Sequence, residues 1–322
     1  MSLLSQADIQ QVIKQAKALN ESAPEKPIED FFGDVLSLNK IQRASAFPDP
    51  DKDGVAAINI SHLTAARDSL LRDKGEVPPF VVFQKPPQNR TFIAGLCTYL
   101  QSRSLPHGYP SDFIDRVTSH RAIRTELLQI DKGHKLELVA AAILAASCHY
   151  GEATRGSGDQ GLDAVAWNHL IQIDDAFLDG FIGQKIVRPG HRVMVVASSK
   201  AAIGADPDAL KLINPAHIRE LVGGWLIQRS ESSAWKGIGM QMLTPLQLVL
   251  VTTYRLSEES KAECQKLGVQ VWTLPELIYL ICRYAPPAVF SSGKSNAFSK
   301  TDFNAWWAQK APSRISPSAE LA

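Results

Sequence analysis

The sequence predicts a mainly helical N-terminal part followed by an α/β domain with a mixed sheet flanked by helices. Three observations carry this. Apolar residues recur at helical spacing through much of residues 1–130, short β-branched runs appear only further on, and those runs alternate with helical patterns. With 322 residues the chain can fill one large core or two ordinary ones. Its 45% hydrophobic and 21% charged content is that of a globular protein.

In residues 6–20, Ile9, Val12, Ile13, Ala16 and Leu19 mark one apolar helix face, which the stretch 23–27 ends at Pro27. A Pro/Asp-rich loop at 47–54 precedes a helix over 61–73 with Ser61 as its cap. Residues 78–83 form a short extended piece. Residues 90–103 read as a helix, 106–110 as a break, and 111–129 as another helix.

The character changes after Gly133. An Ala/Leu-rich helix spans 136–148, and a glycine-rich turn follows at 156–161. Residues 162–167 alternate as a strand, and 191–199 contain the β-branched run of a buried strand. Residues 213–226 are helical and 246–253 form an apolar strand. Ser257 caps a helix that runs to 267, and Gly268 stops it. A strand at 269–272 and a helix at 275–284 complete the domain. The predicted organisation is a helical recognition or partner-binding domain at 1–130, an α/β domain at 131–285, and a tail at 286–322 with a short helix over 303–311.

Composition excludes several function classes. A net charge of +1 does not announce a nucleic-acid binder, although a basic face remains compatible with it. Cys97, Cys148, Cys264 and Cys282 lie far apart, which argues against structural zinc and a disulfide framework. The N-terminus lacks a signal-peptide pattern, and the stretch 136–148 is too short to span a bilayer, so a cytoplasmic protein is expected.

The chemistry-bearing residues are Glu137, Asp163 and Lys200. Phosphodiester hydrolysis needs carboxylates for Mg²⁺ and a cation or base near the attacking water. Asp163 opens a strand directly after a glycine turn, and Lys200 follows the next buried strand. Adjacent strands lie about 5 Å apart, which would bring these two together. Glu137 sits among apolar helix residues, where a carboxylate needs a partner.

At these residues a resemblance emerges. Gly133 to Ala140 with Glu137, Gly158 to Ala166 with Asp163, and Val195 to Lys200 resemble the Mrr-type branch of the PD-(D/E)XK nucleases. The strand at 248–253, the helix beginning at Ser257, and the segment from Leu267 to Leu277 resemble that family's later elements. The resemblance covers roughly residues 131–285. It implies a restriction-endonuclease-like fold and a metal-dependent DNA endonuclease. In it Asp163 is the metal-binding aspartate, Lys200 the catalytic lysine and Glu137 the helix glutamate. Mg²⁺ is the implied cofactor, with Mn²⁺ able to substitute, double-stranded DNA the substrate, and a homodimer or higher homo-oligomer the assembly.

This sequence departs from that pattern twice. Ser198 stands where the family carries an acidic residue or glutamine, so a second carboxylate must come from elsewhere. Glu137 is the first choice, with Glu152 and Glu220 in reserve. An insertion at 168–190 also separates Asp163 from Lys200. Around the proposed site, 185–236 carry a basic excess, and Arg188, Arg192, Lys211 and Arg219 are the candidate DNA contacts.

Other patterns are better read as structure. Gly156, Gly158 and Gly161 spell a dinucleotide fingerprint but stand before a strand, where that site needs a helix. Asp49, Asp51, Asp53 and Gly54 mimic a calcium loop, yet position twelve is Ile60 rather than glutamate. Two readings compete with an active nuclease. One is a catalytically silent nuclease fold that binds DNA or assembles, favoured by Ser198. The other is a nuclease subunit of a larger defence complex.

Overall fold

Pairing between distant strands, rather than local propensity, sets the architecture of this chain. The computed structural model describes residues 6–35, 79–85, 90–102, 117, 120–130, 133–148, 150–154, 163–169, 192–200, 212–231, 245–290 and 298–309. They fall into two compact units, one within Met1–Ile123 and Ala285–Asp302, the other within Arg124–Tyr284 and Phe303–Ala322.

The first unit holds α1 (Gln6–Lys17), β1 (Lys26–Pro27), α2 (Ile28–Val35), β2 (Phe80–Lys85), β3 (Arg90–Gly95) and α3 (Leu96–Gln101). The apolar stripe expected of residues 6–20 is used as predicted. Val12 and Ala16 pack with Ile28, Phe31, Phe80 and Ile93 in one buried cluster. The mainly helical reading needs one correction here, because this unit also contains a three-stranded antiparallel sheet in the order β1-β3-β2. The expected helix over 90–103 is strand to Gly95 and helix only from Leu96. Thr91, Phe92 and Ile93 suit a pleated strand, and pairing with Phe80–Lys85 overrides their weak helical pattern. At Gly95 an added methyl group would collide with the backbone carbonyls of Asn20 and Glu21, so only glycine allows that approach. A second tie runs from Glu21 to His120, whose Nε2 lies 3.1 Å from both carboxylate oxygens. The expected helix over 61–73 lies outside the described residues.

Between the strand regions come α4 (Arg121–Leu128) and then α5 (Gly133–Ser147). The second unit continues with β4 (Tyr150–Ala153), β5 (Ala164–His169), β6 (Arg192–Lys200), β7 (Leu212–Ile213) and α6 (Pro215–Glu231). It ends with β8 (Leu246–Thr252), β9 (Arg255–Leu256), α7 (Glu258–Leu267), β10 (Gln270–Trp272) and α8 (Leu274–Tyr284). A 3-10 turn at Pro287–Phe290 and α9 (Lys300–Ala308) follow.

Five strands form the main sheet in the order β10-β8-β6-β5-β4. β4, β5 and β6 run antiparallel, while β6, β8 and β10 are parallel. The mixed sheet flanked by helices is therefore present. Small side chains decide which helix covers which face. A methyl group on Gly151 would lie 2.5 Å from the backbone nitrogen of Ala145 in α5. Gly151 pairs with Ala166, Ala153 with Ala164, and Ala164 with Ala197. Directly paired residues share a face, so these alanines make a shallow bed for α5, whose own Ala140, Ala141 and Ala142 are fully buried.

Val165, Trp167, Leu248 and Leu250 occupy the other face. They share a cluster with Ile218 and Leu221 of α6 and Cys264 of α7. α8 packs against α5 and β10. Burying a side chain such as Leu221 contributes about 1.5–3 kcal/mol, so both faces hold the sheet firmly.

Candidate active site

Asp163 lies immediately before β5, at a position where the ladder is out of step. Ala164 is the register partner of Ala197, yet the Asp163 amide also donates to the Ala197 carbonyl at 2.8 Å. Two residues of one strand thus face one of its neighbour, which is a β-bulge. On its other side, Asp163 accepts through its backbone carbonyl from the Thr154 amide at 2.9 Å. A bulge interrupts the alternation of faces, so Asp163 is not bound to the face that Val165 and Trp167 share. Its side chain is buried, at 8% exposure, in a position where a carboxylate is costly without polar company.

Lys200 is the final residue of β6 and the register partner of Thr252 in β8. Because β5 and β6 are antiparallel, the start of one and the end of the other lie at one end of the sheet. The parallel strands β6 and β8 also present their carboxyl ends there, the usual position for ligands in open α/β sheets. Ser198 pairs with Leu250 two positions earlier.

Glu137 stands early in α5, with 15% of its side chain exposed amid buried neighbours. One carboxylate oxygen lies 3.1 Å from Nδ1 of His134, one helical turn earlier. Of the reserve carboxylates, Glu152 sits half-buried in β4 opposite Val165. Glu220 is exposed on α6, on the opposite side from buried Ile218 and Leu221.

Sequence reasoning missed two polar residues at this end. Thr252 and Thr253 are almost completely buried, and the Thr252 hydroxyl accepts from the Tyr254 amide at 3.0 Å, turning the chain out of β8. A Thr-Thr pair closing an apolar run was the available signal. It also missed β4, which is too short for its alternation to be recognised.

Among the candidate DNA contacts, Arg219 donates from Nε to Glu263 at 2.9 Å, joining α6 to α7. That bond holds the Glu263 carboxyl below the usual glutamate range. Beside it, burial pushes the Cys264 thiol up. Arg192 is the first residue of β6, paired with His169. Arg188, Lys211, the glycine turn at 156–161 and the acidic loop at 49–54 lie outside the described residues, as do 170–190 of the insertion.

Among the described residues, no group of three or more His, Cys, Asp or Glu side chains is arranged to hold a metal ion. No helix among them is long and apolar enough to cross a membrane.

No family model matches the chain, and no curated protein matches it in sequence. Among solved structures, it is similar to the MspJI restriction endonuclease in complex with a 27-mer oligonucleotide. That match has 12% identity and a TM-score of 0.38, covering 74% of this chain and 59% of that one. The DNA modification-dependent restriction endonuclease AspBHI matches at 12% identity and a TM-score of 0.33, over 76% of this chain and 61% of that one. The restriction endonuclease FokI bound to DNA matches at 10% identity and a TM-score of 0.29, over 86% and 44%. The chain thus spans less than two thirds of the length of each of these proteins.

Proposed function

We propose that this chain is a metal-dependent DNA endonuclease of the restriction type, hydrolysing phosphodiester bonds at the sheet end that carries Asp163 and Lys200. The observation that carries this reading is the strand register. Ala164 pairs with Ala197, and Lys200 closes the same strand against Thr252, so two residues 37 positions apart in sequence come to one end of one sheet.

Helix and strand geometry supports including Glu137. Ala145 backs onto Gly151, and α5 packs along β4. Going back along α5 from Ala145 to Glu137 covers about 12 Å. Going forward along β4 from Gly151 to Thr154, the neighbour of Asp163, covers about 10 Å. The chain reverses between α5 and β4, so both paths lead toward the same end.

The donor set fits magnesium in kind. Mg²⁺ favours carboxylate oxygens, needs only one or two from the protein, and fills its remaining positions with water and phosphate. A bound divalent cation would polarise the phosphate and lower the pKa of a nucleophilic water. Asp163 and Glu137 would hold it, whereas Glu152 lies opposite Val165 on the face that α6 covers and Glu220 is exposed on α6, so neither of these joins the proposed donor set. Lys200 would orient the attacking water and offset the charge that develops on the phosphate. Arg188, Arg192, Lys211 and Arg219 would meet the DNA backbone, and the N-terminal domain, residues 1–130, would supply recognition or partner binding.

A plasmid-nicking assay in Mg²⁺ tests this. Wild type is expected to cleave, and Asp163→Asn and Lys200→Met are each expected to lose about 100-fold or more in rate. Folding of the variants is checked by circular dichroism. Ser198 favours the silent DNA-binding fold as the second reading. DNA binding with no cleavage by the wild type, alone or with cellular partners, would establish that alternative.

A further inference from the structure

The pairing of His134 with Glu137 is not explained by helix stability. Both residues lie near the N-terminus of α5. An i,i+3 surface pair adds only about 0.2–0.5 kcal/mol. The arrangement is also asymmetric, since the His134 side chain is 61% exposed whereas that of Glu137 is 15% exposed.

We propose that His134 is a positioning residue for the metal site, a role that rests on the nuclease reading given above. An ionised carboxylate only accepts hydrogen bonds, so Nδ1 of His134 donates to one oxygen of Glu137 across 3.1 Å. That bond restrains rotation of the carboxylate and leaves its second oxygen for a cation. It also sets the imidazole tautomer, with the proton on Nδ1. Carboxylates that bind metal are commonly held in this way by a neighbouring donor, and losing the donor weakens metal affinity about 10–100-fold.

The test is Mn²⁺ binding by the metal-free protein, followed through the electron paramagnetic resonance signal of free Mn²⁺. His134→Ala is expected to weaken binding about 10–100-fold, while His134→Asn retains most of it. The asparagine amide nitrogen stands where Nδ1 stood. Thermal unfolding should be unchanged in both, because His134 is largely exposed. Glu137→Gln and Asp163→Asn serve as references and are expected to bind weakly. If Glu137→Gln weakens binding but His134→Ala does not, the positioning role is wrong while the nuclease reading survives. Equal weakening in His134→Ala and His134→Asn would likewise overturn it, since the hydrogen bond would then not be the cause. If wild type binds no Mn²⁺, or binds it indifferently to changes at 137 and 163, the metal site falls and the role of His134 falls with it.

Discussion

Gly151 has no side chain to contribute, yet the contact between α5 and β4 depends on it. A methyl group there would meet the Ala145 nitrogen at 2.5 Å and the Ala145 Cα at 2.8 Å, and neither backbone atom can rotate away. Gly151→Ala is therefore expected to cost about 3 kcal/mol, the upper end for overpacking, read as a lower urea midpoint. Because Thr154 and Asp163 flank the same strand pair, that variant should also lose the proposed nuclease activity at temperatures where it stays folded. Nothing in the sequence singles out Gly151. Asp163 was more legible, because a carboxylate at the mouth of an alternating strand is a recognisable pattern. Its bulge was not, since two residues facing one depends on the partner strand.

Caps were the most legible features among the elements. Its position before an acidic first turn marks Ser257 as a helix cap, and its hydroxyl accepts from the Ser260 amide at 3.1 Å. Gly268 marks the stop, and it has the left-handed φ of 67° that a residue with a side chain rarely adopts. Ser257→Ala is expected to lower stability by about 1 kcal/mol, measured by urea unfolding. A loss well above that would mean the Ser260 hydroxyl, which donates to the Ile213 carbonyl at 2.6 Å, moves with the cap. Strands were harder to read. Residues 90–95 have apolar spacing that suits either state over so short a stretch, and only pairing with β2 decided between them. The same reason hid β4, and it hid the short parallel pair of β7 with β9, two residues each.

For the whole molecule, the proposed activity has a consequence for assembly. Two antiparallel DNA strands are cut symmetrically by two copies related by a two-fold axis, each nicking one strand, so we expect the species that cuts both strands to be a dimer. Double-strand cleavage should then rise faster than linearly with enzyme concentration below the dimer dissociation constant, while nicking stays linear. Sedimentation equilibrium should show the dimer over the same range. Linear cleavage by a demonstrated monomer would remove the dimer from the proposal and leave the site untouched.

The amino-acid sequence by itself determined the apolar face of α1, the apolar character of α5, the capping of α7, the apolar run of β8, and the order of the longer elements from α5 to α8, without β4, β7 and β9. These features arise from residues within four positions of one another or from simple alternation, and such interactions are written along the chain. The tertiary structure alone decided the three-stranded sheet of the first unit, the strand order of the second, and the bulge at Asp163. It also decided the register that brings Asp163 beside Ala197 and Lys200 beside Thr252. Those outcomes depend on pairing between segments tens of residues apart, where the choice of partner is made by the packing of the whole sheet against its helices.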